Sequence, residues 1–188
     1  MTPRSLAPSE IPPGNPERIA LLLREGRVEL TAPDPKRVTA LWGKALASAR
    51  DAELPGLSAD TAVDAAYKAL LQGAMALLES EGLRAGGASG GHHHDTFYAA
   101  AGLGHDALRT LDVDSEPVRK LRARSVYEPE SVTPADLARL IGVLARVLPA
   151  IRRAILARQP ELETALAVPE VAPPDGAPPE RTPPERST

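Results

Sequence analysis

The segment SADTAVDAAYKALLQGAMALLESEG, residues 58–82, repeats its apolar side chains every three or four positions. Val63, Tyr67, Leu70, Ala74 and Leu77 therefore share one stripe of a long α-helix that starts near Ser58–Asp60 and runs until Gly82. The same spacing recurs on both sides. Upstream, Val38, Leu41, Trp42, Ala45 and Ala49 mark a helix that ends before Leu54-Pro55-Gly56, and Ile19, Leu22 and Leu23 mark one over 16–25 that Gly26 stops. Downstream, a fourth helix runs from the histidine tract to Gly102, and a fifth from Ser115-Glu116-Pro117 to about Tyr127. The last presents Leu137, Leu140, Ile141, Leu144, Leu148, Ile151 and Ile155, with Pro149 inside it as an expected kink or break. Val28–Thr31 is too short to found a sheet, and no useful period-2 pattern occurs elsewhere. The expectation is an all-α, up-and-down bundle of five or six helices.

Three helix starts share one grammar. Asn15-Pro16, Asp34-Pro35 and Thr133-Pro134 each set a capping side chain before a proline at the first helical position. The cap oxygen accepts from an orphan backbone N–H, and proline has no N–H to lose there. Asp136, three residues after Thr133, completes a capping-box pattern.

The remaining prolines crowd the two ends of the 188-residue chain. From Pro169 onward Pro-Pro pairs dominate with little apolar bulk, which cannot offset the entropy of ordering. The expected organisation is a flexible arm at 1–14, a helical bundle at 15–158 and a Pro-rich disordered tail at 159–188. The absence of cysteine excludes disulfides, Cys-ligated metal sites and a thiol nucleophile. A net charge of −3 gives no global field for nucleic acid, so any such binding needs a local patch. The start of the chain has no apolar run of signal-peptide type, and arginines interrupt the apolar stretch 137–156. A cytoplasmic protein with no membrane contact is expected.

Two segments stand out chemically. The first is Ala85-Gly86-Gly87-Ala88-Ser89-Gly90-Gly91-His92-His93-His94-Asp95. Successive helical residues diverge by about 100°, so the three histidines cannot share one metal ion, and no His-x-x-x-His pair exists. No strand precedes the glycines and no Gly-Lys-Ser/Thr follows, which excludes a P-loop. The open readings are a flexible connection between helices, a nucleic-acid-facing loop or a metal site, and the site assignment carries no metal and no cofactor. The second segment, Val118-Arg119-Lys120-Leu121-Arg122-Ala123-Arg124-Ser125-Val126-Tyr127, holds four cations within six residues. Arginine offers a permanently charged, planar fork of donors that suits phosphate. The competing reading is a solvated helix face whose cations favour the helix C-terminus.

The run Asp64 to Arg84, followed by Gly91-His92-His93-His94-Asp95-Thr96-Phe97 and later by the Arg-rich helix ending near Tyr127, resembles HEPN-superfamily domains of the small stand-alone bacterial type. The likeness covers about Arg37 to Leu156. It implies a HEPN-like bundle, often a homodimer, that binds RNA or nucleotide. It further implies metal-independent, toxin-like ribonuclease activity, with a nucleotidyltransferase-like antitoxin as partner. The family signature is an Arg followed four to six positions later by a His. Here no His follows His105, and Tyr127 stands where the His is expected. The resemblance then implies Arg122, Arg124 and Tyr127 as catalytic residues, with Arg119, Lys120, Ser125, His92 and His93 contacting nucleic acid. The alternative is a non-catalytic dimerisation or partner-binding helical module.

Overall fold

In the computed structural model the chain is described over residues 15–86, 92–103, 105, 108–109, 111, 116, 118–123 and 132–167. The elements are α1 (Pro16–Arg24), β1 (Val28–Leu30), α2 (Pro35–Ala52), α3 (Ala59–Ser80), β2 (Leu83–Ala85), α4 (His92–Gly102) and α5 (Pro134–Arg158). Residues 118–123 are also helical, within the expected fifth helix, whose remaining ends lie outside the described residues. The protein is mostly helical with one small two-stranded sheet.

The helix starts follow from their caps. Asn15 Oδ1 accepts from Arg18 N at 3.0 Å, and Asp34 Oδ1 accepts from Lys36 N at 3.0 Å. Thr133 and Asp136 form the reciprocal capping box, with Asp136 N donating to Thr133 Oγ1 at 3.1 Å. Ser58 caps α3 through Thr61 N.

α3 is the central element, packed by α2, α4 and α5. Its buried surface extends well beyond the expected stripe and takes in Ala62, Ala66, Ala69, Leu71, Ala76 and Leu78. The many alanines and Gly73 let neighbours approach closely. A Cβ on Gly73 would sit 3.1 Å from both Ile151 Cδ1 and Leu148 Cδ2, so the absent side chain lets α5 pack closely there. α2 runs antiparallel to α3, because Arg37 at one end of α2 bonds Glu79 while Ser48 bonds Gln72.

The expectation of no strand pairing is corrected. β1 and β2 form an antiparallel ribbon, with Val28 opposite Ala85, Glu29 opposite Arg84 and Leu30 opposite Leu83. Thr31 N to Gly82 O (2.9 Å) and Gly86 N to Arg27 O (2.8 Å) extend the ladder at both ends. Gly82 has φ +71°, and a Cβ there would meet Thr31 O at 2.9 Å. Only glycine serves that turn. Three residues per strand carry too little alternation to register in a sequence pattern.

α5 continues through Pro149 without a break. Pro149 removes the partner of the Ala145 carbonyl, and both residues are exposed, so water can satisfy that oxygen. The fold also runs past the expected boundary at 158. A 3-10 turn, Pro160–Leu162, leads to a segment that buries Leu162 and Leu166. Trp42 Nε1 donates to Leu166 O at 3.1 Å, and Arg152 Nε donates to the same oxygen at 2.9 Å. The expected arm at 1–14 and the Pro-Pro-rich part of the tail lie outside the described residues. Among the described residues no helix is long and apolar enough to cross a membrane.

Leu166 is fully buried against the fold, so Leu166→Ala should cost about 2–5 kcal/mol by lost transfer energy and cavity formation. Urea unfolding followed by Trp42 fluorescence measures this. An unchanged midpoint would show that the segment after α5 does not contribute to the core.

Candidate functional site

The first turns of α4 place His93 and Phe97 toward α3, one helical turn apart. Tyr67 of α3 meets both. Its hydroxyl lies 3.1 Å from His93 Nδ1, and its ring stands edge-on to Phe97 with centroids 6.0 Å apart. The His93 and Tyr67 rings are tilted by 50° at 5.7 Å. From the helical stretch 118–123, the Arg122 guanidinium lies over the Tyr67 ring at 4.8 Å, a cation–π arrangement. Arg122 Nε also donates to Asp64 Oδ1 at 2.9 Å, and Lys68 Nζ reaches Asp64 Oδ2 at 2.6 Å. Asp64, Tyr67 and Lys68 occupy i, i+3 and i+4 of α3, so one helix face presents all three.

Burial and charge are unequal across this group. Tyr67 is buried, His93 is exposed, and the Arg122 side chain is 39% exposed. Burial pushes the Tyr67 phenol above its ordinary value, while the cations of Arg122 and Arg119 act against that rise. For Asp64, partial burial favours the neutral form. The hydrogen bonds and charges of Lys68 and Arg122 outweigh it and hold the carboxyl below the usual range. The arrangement offers a permanent cation and an exposed imidazole, both anchored on one buried phenol. Such a pair can neutralise an oxyanion and exchange a proton.

Of the residues singled out by sequence, the structure sets Arg122 and His93 against the same residue, Tyr67. Arg119 and Lys120 instead turn to Glu116, at 2.7 and 3.6 Å, as exposed helical ion pairs. His92 opens α4. Arg124, Ser125 and Tyr127 lie outside the described residues. Tyr67 and Asp64 were not marked as site residues by sequence. Tyr67 reads there as one more member of the core stripe, although the Asp64–Lys68 spacing flanking it was a visible hint of a polar face.

The next residues of α4 serve a different group. His94 stacks on Tyr98 (5.9 Å, 14°), and Arg18 of α1 lies 4.2 Å over the same ring. Asp95 is buried and takes the Arg27 side chain, whose Nε donates at 3.0 Å and whose Nη2 also donates to it. His93 and His94 thus turn to different aromatic partners, Tyr67 and Tyr98. Among the described residues no group of three or more His, Asp or Glu side chains is placed to hold a metal ion.

Buried carboxylates at the other end of α3 act as anchors for surrounding elements. Glu79 accepts from Arg37 of α2 and Arg84 of β2 at 2.9 Å each. The side chain of Glu81, just past α3, receives a forked contact from Arg158 of α5 at 2.8–3.0 Å. Each guanidinium satisfies carboxylate lone pairs that would otherwise be costly to bury.

No family model, curated protein or solved structure matches the chain.

Arg122→Ala removes a cation that favours the charged forms of both Asp64 and Tyr67, so both should titrate at higher pH. A carboxyl with a depressed folded-state pKa contributes stability above its unfolded value and loses it as pH falls through the folded value. In the variant that loss should therefore begin at a higher pH. Side-chain carboxylate NMR for Asp64 and tyrosinate absorbance for Tyr67 report the two midpoints. Midpoints identical to those of the wild type would place Arg122 away from both groups in solution.

Proposed function

We propose that the chain is a HEPN-like helical protein that binds RNA, and that Arg122, Tyr67 and His93 form the centre of a metal-independent ribonuclease site. The observation that carries this reading is the convergence of Arg122 and His93 on Tyr67 from two separate helical segments. A phosphodiester cleavage without metal needs a fixed positive charge for the phosphorane oxygens and a group that moves a proton near neutral pH. Arginine supplies the first, and histidine, with an ordinary pKa of about 6.5, supplies the second.

In this reading His93 takes the proton of the ribose 2′-hydroxyl, and the 2′-oxygen attacks the adjacent phosphorus. The P–O5′ bond breaks, leaving a 2′,3′-cyclic phosphate. The proton passes to the departing 5′-oxygen, which restores the neutral imidazole. Tyr67 is a positioning residue. Its hydroxyl engages His93 Nδ1, so proton exchange falls to Nε2, and its ring face supports the Arg122 cation. This pairing offers a histidine from α4 where the family signature would supply one after the arginine. The family resemblance also implies Arg124 and Tyr127 as catalytic residues, and homodimerisation and a nucleotidyltransferase-like antitoxin belong to the same proposal, in the cytoplasm.

The test is labelled RNA incubated with purified protein in EDTA. Wild type should cleave. Arg122→Ala should lose about 10²–10³-fold of the rate by loss of oxyanion stabilisation, and His93→Ala about 10²–10⁴-fold by loss of proton transfer. Arg124→Ala and Tyr127→Phe, run beside them, report whether those two residues contribute. Cleavage that survives both the Arg122 and His93 substitutions would sink the proposed centre. A wild type that neither binds nor cleaves RNA would favour the non-catalytic dimerisation or partner-binding module.

A further inference from the structure

α5 carries a row of cations that the interior does not use. Arg139, Arg146 and Arg153 are exposed and recur every seven residues, about 10.5 Å apart at 1.5 Å rise per residue. Seven residues nearly complete two turns, so the three side chains line one side of the helix. The fold matches many other arginines with carboxylates: Arg27 with Asp95, Arg37 and Arg84 with Glu79, Arg122 with Asp64, and Arg158 with Glu81. Among the described residues no carboxylate forms an ion pair with Arg139, Arg146 or Arg153. Arg146 donates to Gly142 O, one turn back, at 3.3 Å. α5 itself contains no acidic residue after Asp136.

The surface beside the row is low. Ala145 and Pro149 are exposed, and a Cβ added to Gly142 would meet nothing within 4 Å. The positions beside the row that the structure describes as open, Gly142, Ala145 and Pro149, are thus small enough for an extended chain to approach the arginines. Its occupant should be a polyanion with closely spaced charges, because the three arginines repeat in one direction and pair with no carboxylate among the described residues. The row spans about 21 Å, roughly six nucleotides of a strand stacked at about 3.4 Å per step.

We propose that the Arg139–Arg146–Arg153 face of α5 is a sequence-independent track for the sugar–phosphate backbone of RNA. The inference rests on the RNA-binding reading above and adds where the strand is held, as distinct from where it is cut. Each arginine neutralises a phosphate and releases condensed counterions, which makes the track's contribution measurable through its salt dependence.

The probe is a fluorescein-labelled oligouridylate, with affinity measured by anisotropy across a salt series. Three phosphate contacts to a single strand add about 2 to the slope of log affinity against log salt. Wild type should therefore lose about 20-fold more affinity between about 50 and 200 mM salt than the Arg139→Gln/Arg146→Gln/Arg153→Gln variant. The corresponding triple Lys variant should keep the wild-type slope, and each single Gln variant should remove about 0.7 of it. The triple Gln variant should need more protein for half-maximal cleavage, whereas Arg122→Ala lowers the rate at any protein concentration. Equal slopes alongside intact Arg122-dependent cleavage would overturn the track and leave the cleavage centre standing. Loss of binding and cleavage in wild type itself would overturn both. Wild-type preference for phosphatidylserine vesicles over the oligonucleotide would replace the track with a lipid-facing surface.

Discussion

A helix surrounded by three neighbours cannot carry large side chains on every side. α3 resolves that constraint by alternating Leu70, Leu77 and Leu78 with Ala62, Ala66, Ala69, Ala76 and Gly73. The large residues fill gaps, and the small ones set the distance at which α2, α4 and α5 come to rest. Gly73 is the tightest instance. Its missing Cβ leaves Leu148 and Ile151 in contact with the backbone of α3. A methyl group there would push both side chains back by a few tenths of an ångström.

The same helix also organises the polar chemistry. Its first half presents Asp64, Tyr67 and Lys68 to the surface shared with α4 and residues 118–123. Its C-terminal end, with Glu81 just beyond, holds carboxylates against Arg37, Arg84 and Arg158. The two groups differ in kind. At the Glu79–Glu81 end every carboxylate is buried and saturated by guanidinium, which fixes α2, β2 and α5 in register. At the Tyr67 end the cation is only partly covered and the histidine is exposed, so the group retains access to solvent. A site of that sort needs a rigid platform, and the buried phenol supplies one.

Most of the helical framework was legible because its signals are local. Caps at Asn15, Asp34 and Thr133, stops at Gly26 and Gly82, and apolar spacing within each helix lie within a few residues of the features they specify. What escaped was long-range. The ribbon pairs Val28 with Ala85, and the segment after α5 is retained by Trp42, more than a hundred positions earlier. No window on the sequence contains both partners. For the candidate site, the family resemblance implied Arg122 and His93, but not Tyr67, the residue that both engage. Tyr67 fits the core stripe so well that its hydroxyl drew no notice. Only packing reveals that a core aromatic turns its polar end toward another helix.

The β1–β2 ribbon closes around the α2–α3 hairpin. In an unfolded chain, joining Leu30 to Leu83 means closing a loop of about fifty residues, and the entropic cost grows with the logarithm of that length. Once α2 lies antiparallel on α3, the base of the hairpin already brings those two segments side by side, and little of that cost remains. The ribbon is thus cheapest to form once the helices have docked, as a clasp at the base of the hairpin, with Gly82 making the turn that brings β2 back beside β1.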